Sequence, residues 1–105
     1  MIEHLVLFKI KSGVADDTVE WMMRETRMRL LKIPEVLSLK CGKRVDKSME
    51  WEFFIAIEVE SMDKLAIYKD DAHHVKYVQE VIKPYTADRC ALDFEMEPGK
   101  DVRYS

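Results

Sequence analysis

A chain of 105 residues, 48% hydrophobic and 35% charged, has the size and balance of one soluble globular domain with a modest core. A net charge of −3, a pI near 5.6 and the lack of a Lys/Arg run argue against nucleic acid as a partner. No apolar run reaches the ~18 residues that a membrane span requires.

The opening Ile2 to Lys11 reads as a strand, not as a secretory signal. Ile2, His4, Val6, Phe8 and Ile10 share one face; Glu3, Leu5, Leu7 and Lys9 share the other. Both faces are apolar in the middle, so this strand is expected to be covered on both sides. Ser12-Gly13 forms a turn, and Asp16 or Asp17 is expected to cap a helix that runs to about Ile33 and ends at Pro34. Val19, Met22, Met23, Thr26, Leu30 and Ile33 follow helical spacing. Val36 to Lys43 is the second strand, with Gly42 as a bulge or bend. Lys43 to Glu50 is a loop, and Trp51 to Glu60 is the third strand. Phe54 and Ala56 interrupt the polarity of its outer face, where Glu52, Glu58 and Glu60 read as a solvated edge or dimer rim.

Ser61 caps a short helix with Leu65 and Tyr68 on its inner side. Asp71 precedes a second helix from about Ala72 to Lys83, closed by Pro84. At ~100° per residue, with His74 at zero, Val78 falls near ~40°, Ile82 near ~80°, Val75 near ~100° and Val81 near ~340°. His74 therefore lies in the apolar stripe, and His73 points to water. A titratable ring on an apolar face needs a partner. Arg89 to Glu95 is the fourth strand. Residues 1–96 form the domain and 97–105 a polar tail.

Strand, helix, strand, strand, helix, strand is the ferredoxin-like split βαβ order, with a four-stranded antiparallel sheet in the order 4-1-3-2. Its helices cover one sheet face. The apolar residues on the other face predict a homodimer packed sheet to sheet. Cys41 and Cys90 fall on opposite edge strands with no CxxC spacing. Both are expected to be free, reduced thiols, as in the cytoplasm, with neither a zinc site nor a redox pair.

The segments IEHLVLFKIK, IPEVLSLKCG, WEFFIAIEVESMDKLAIY and DAHHVKYVQEVIKP, in this order and spacing, resemble the stress-responsive dimeric α/β-barrel (Dabb) family over nearly the whole chain. The family's His-Pro-x-His stands here as Asp71, Ala72, His73 and His74, so only the second histidine is kept. The resemblance implies an α+β dimeric barrel with a pocket between helices and sheet in each subunit. One plant member performs cyclase-type aldol chemistry without metal or cofactor, while most members have no assigned reaction. The histidine base would match His74, its tyrosine partner Tyr68, and a pocket histidine His4.

The residues leave alternatives beside each role. His74 is a general base or a core histidine bonded to a backbone carbonyl. Tyr68 is an enolate-stabilising donor or a half-buried aromatic. Asp93 orients His4 or His74, or is a solvated strand-end acid. Val6, Met22, Met23, Thr26 and Ile55 are expected to line the pocket. Adjacent histidines on a helix diverge by ~100° and chelate one ion poorly, so no metal is expected. The expected function is binding of a small apolar or aromatic molecule, with cyclase- or lyase-like chemistry. The alternatives are a non-catalytic binding protein and a cofactor-free monooxygenase or haem-handling protein on the same scaffold.

Overall fold

The strand β1 (Ile2–Ile10) is the spine of the computed structural model, which describes residues 1–97. The expected polar tail lies, apart from Glu97, outside the described residues. Around β1 stand α1 (Asp16–Leu30), β2 (Ser38–Lys43), β3 (Phe53–Val59), α2 (Met62–Asp70), α3 (Ala72–Tyr77), a π-helical turn (Val78–Ile82) and β4 (Thr86–Glu95). The strands form one antiparallel sheet in the order β2-β3-β1-β4, the ferredoxin-like α+β arrangement. None of the described helices is long and apolar enough to cross a membrane.

The period of two along each strand separates two faces. Register sets Val6 beside Ile55 and Phe8 beside Phe53, and these side chains join Ile57 and Val59 on the helix-covered face. They form one buried cluster with Met22 and Leu30 of α1, Leu65 of α2, Tyr77 of α3 and Val81 of the π-helical turn. The opposite face carries Leu5, Leu7, Phe54, Ala56, Cys90, Leu92 and Phe94 in neighbouring register positions. No helix among the described residues packs on it, and Phe94 is 51% exposed. Gly42 pairs regularly with Phe54, so the expected bulge is absent. A Cβ at Gly42 would stand 2.8 Å from the Phe54 ring; glycine is needed there for close approach. Cys41 and Cys90 are both free and sit on the two edge strands.

Several boundaries differ from the sequence pattern, each for a local reason. Ala15, not an aspartate, holds the cap position of α1; Asp16 and Asp17 lie inside the first turn, where the helix dipole favours them. Helix α1 stops at Leu30 because the chain tightens into successive three-residue turns, Ile33 N–H to Leu30 C=O and Val36 N–H to Ile33 C=O, ahead of and across Pro34. That turn also holds Val36 out of β2. Trp51 lies outside β3 and packs beneath the Lys9 ammonium, 5.2 Å from the ring centre. Glu52 is no solvated edge residue: its carboxylate accepts the Ile10 N–H at 3.0 Å, while its own N–H donates to Phe8 C=O. β4 begins three residues early, at Thr86, after Lys11 N–H bonds Tyr85 C=O across a register shift.

The predicted helix over 72–83 divides at Tyr77. Beyond it the turn widens, and Lys83 N–H donates to Val78 C=O five residues back at 2.8 Å. The consecutive Val81 and Ile82 of this turn are both buried in the core, as the apolar stripe predicts. Val75, expected in that stripe, is instead 43% exposed. Tyr77 takes the inner position.

Candidate functional site

A cavity of about 630 Å³ opens between β1, β4 and the α2–α3 unit. Its floor is apolar: Val6, Phe8, Ile55, Val78, Ile82 and Ala91. Three polar rings converge at one end. Tyr68, at 3% exposure, projects from the last turns of α2. The His74 ring stands 4.6 Å from it, centre to centre, and the His4 ring 6.3 Å.

The break between α2 and α3 sets His74. Asp71 leaves helical geometry and its carboxylate accepts the His73 N–H at 2.8 Å, starting α3. His74 then folds back, and its Nδ1 lies 3.0 Å from the Lys69 carbonyl. A carbonyl only accepts, so the proton resides on Nδ1 and the neutral ring keeps its lone pair on Nε2. Burial holds the His74 imidazole below its ordinary value; the nearby His4 and Lys69 push the same way, against the Lys69 hydrogen bond and Asp71. The neutral form therefore prevails at pH 7. His73 is exposed.

His4 is anchored by register. It sits directly opposite Asp93 on β4, and its Nδ1 lies 2.5 Å from the carboxylate. The carboxylate accepts from Nδ1–H and fixes the ring's orientation. Asp93 thus orients His4, not His74. The Tyr68 hydroxyl has no hydrogen-bond partner among the described residues, and no sealed side-chain oxygen or nitrogen there goes unpaired, so the hydroxyl opens on the cavity. Burial pushes its ionisation far up, and it acts as a neutral donor.

Val6, Ile55, His4, Tyr68 and His74 all lie in the cavity wall. Met22, Met23 and Thr26 do not: Met22 and Thr26 are fully buried behind it, and Met23 packs at the edge of the core. Thr26 is enclosed because its hydroxyl is already satisfied. It donates to the Met22 carbonyl at 2.7 Å and so accepts from the Tyr77 hydroxyl at 2.6 Å. Tyr77 fills the space expected to open beside Thr26, and it forms part of the wall. Its place three residues after His74 is the sequence signal that could have revealed it. Also unforeseen are the charged wall residues Lys69, Lys83, Asp88 and Arg89. Among the described residues no group of three or more His, Cys, Asp or Glu is placed to share a metal ion.

Tyr77→Phe removes the donor to Thr26 without touching Tyr68. It is expected to lower unfolding free energy by about 1–2 kcal/mol in urea titrations. Tyr68→Phe, which breaks no hydrogen bond among the described residues, is expected to leave it nearly unchanged.

A ferredoxin-like sheet with one face under helices, one face bare and a ring-lined cavity at the helix side defines a class of small α+β proteins. The family model of the stress responsive A/B barrel domain matches residues 2–96, and the chain belongs to that family, Dabb. Among solved structures it is similar to a dimeric ferredoxin-like protein of unknown function from Thermobifida fusca, at 25% identity and TM-score 0.82, over 90% of each chain. A Dabb family protein from Mesorhizobium loti aligns at 18% identity and TM-score 0.79, over 91% of this chain and 96% of that one. The hydroxynitrile lyase of Passiflora edulis shares the fold at 11% identity and TM-score 0.79, over 95% and 96%. No curated protein sequence matches the chain.

Proposed function

We propose that this chain is a homodimeric, cytoplasmic small-molecule-binding protein whose cavity performs cofactor-independent acid–base chemistry on a carbonyl compound. The carrying observation is the pairing of an unbonded Tyr68 hydroxyl with a neutral His74 whose Nε2 is the free nitrogen, both on one cavity. His74 Nε2 takes a proton from carbon or oxygen next to a carbonyl. Tyr68 donates to the carbonyl oxygen as negative charge develops there. His4, held by Asp93, supplies a second polar contact at the same end. Such a site serves aldol-type ring closure and its reverse, carbon–carbon cleavage. The lyase activity in the name of the Passiflora relative is in keeping with this, on the strength of the fold alone. Dimerisation through the bare sheet face is supported by its apolar composition, and the Thermobifida relative is described as dimeric.

The test is proton exchange. Benzoylacetone in D₂O is incubated with the protein, and loss of its C–H signal is followed by NMR. Exchange faster than in buffer, lost when Ile55→Trp fills the cavity, supports the reading. Binding without accelerated exchange removes the catalytic part and leaves a binding protein. Neither binding nor exchange refutes both.

A further inference from the structure

The rim of the cavity does not match the rest of the molecule. The chain carries a net charge of −3, yet among the described residues the charged side chains of the cavity wall are Lys69, Lys83 and Arg89 against Asp88, three cations to one acid. None of the three cations is in a salt bridge among the described residues, whereas Lys9, Arg29, Lys43 and Arg44 all are. The Asp88 carboxylate accepts the Arg89 backbone N–H at 2.8 Å and lies near Lys9, and among the described residues it forms no salt bridge with the Arg89 guanidinium.

Placement sharpens this. Arg89 is opposite Phe8, and so on the helix-side face of β4; Lys83 follows the π-helical turn, and between them the chain reverses through Pro84 and Tyr85. Asp93, opposite His4, is four residues further along the same strand. At 3.3 Å per residue, Arg89 and the His4–Tyr68–His74 end are about 13 Å apart, joined by the apolar floor. Lys83 and Arg89 gather at one end, an apolar floor runs between, and the hydrogen-bonding rings stand at the other end beside Lys69; that arrangement fits an elongated molecule with one anionic head.

We propose, building on the cavity reading above, that the ligand is an amphipathic carboxylate. Its head pairs with Lys83 and Arg89, and its apolar body runs over Ala91, Val6 and Ile55 toward His4 and Tyr68. Arg89 suits a carboxylate because its guanidinium donates two parallel hydrogen bonds. The cationic rim also raises the local concentration of such anions around a protein that otherwise repels them.

The test is calorimetric titration of the full chain with para-hexylbenzoate and with its neutral match, para-hexylbenzamide. At low salt the carboxylate is expected to bind about tenfold tighter, and the gap is expected to narrow in molar salt. The Lys83→Gln/Arg89→Gln double variant, altered at two exposed positions, is expected to bring the two ligands within about twofold of each other. Lys76→Gln, which removes a cation outside the cavity, is expected to keep the preference. Equal binding of both ligands by the unaltered protein, with Ile55→Trp abolishing both, overturns the anion proposal and leaves the cavity reading intact. So does a preference that survives the double variant. If neither ligand binds, both proposals fall together.

Discussion

His74→Ala is expected to reduce benzoylacetone exchange by at least about 10²-fold, the lower range for loss of a positioned general base. The fold should survive the change. The side chain is half-buried and, among the described residues, its hydrogen bond goes to the Lys69 carbonyl, so the expected cost is about 1 kcal/mol. Tyr68→Phe is expected to lower the rate by about 10²-fold, as when one oxyanion donor is lost. Its stability should stay unchanged, because that hydroxyl has no hydrogen-bond partner among the described residues. His73→Ala should alter neither quantity. pH provides an independent readout. His74 has its proton affinity depressed below the ordinary 6.5 by burial, so the basic form persists into mildly acidic solution and the rate should fall only below that value. The sign for stability follows from the same shift. The unfolded chain binds the proton more readily, so the fold is at full strength above about pH 6.5 and weakens as pH falls through the depressed folded value. In His74→Ala that contribution disappears. A variant that is much less stable yet exchanges normally would make His74 a structural residue.

Leu7→Asp is expected to convert the protein from a dimer, at twice the 12.4 kDa chain mass, to a monomer in sedimentation equilibrium at micromolar concentration. Leu7 lies in the middle of the bare face, flanked by Phe54 on β3 and Cys90 on β4. A twofold interface meets each substitution twice. Burying an unpaired carboxylate costs several kcal/mol, so Kd should weaken by at least about 10³-fold. Leu31→Asp, at an equally apolar but exposed position past the end of α1, should leave the mass unchanged. If the unaltered chain sediments as a monomer, the dimer proposal fails and the apolar sheet face needs another cover.

The order of elements, the strand order and the two-sided apolar strands could all be read from the chain, because they rest on hydrophobic period and on turn residues, which are local. Periodicity put His4 and His74 each on an apolar face, and the family resemblance grouped them with Tyr68. The errors came where partners distant in sequence compete. Thr26 is a lone polar residue on an apolar helix stripe, and in isolation that reads as space. It encloses a hydrogen bond to Tyr77, 51 residues away, and the expected opening closes. Glu52 reads as a solvated strand acid until the β1–β3 ladder ends beside it and leaves Ile10 N–H in need of an acceptor. Neither partner is visible in a single segment.

The sequence by itself determined the ferredoxin-like fold and the cysteines on opposite strands, and its resemblance to the family singled out the residues at the polar end of the cavity. Tertiary structure alone decided what those residues do to one another. It paired Asp93 with His4, put the His74 proton on Nδ1, left the Tyr68 hydroxyl open and drew Lys83 and Arg89 to the far end of the same cavity. Periodicity says which way a side chain points. Hydrogen bonds and charge depend on distances of a few ångströms between segments, and only packing sets those.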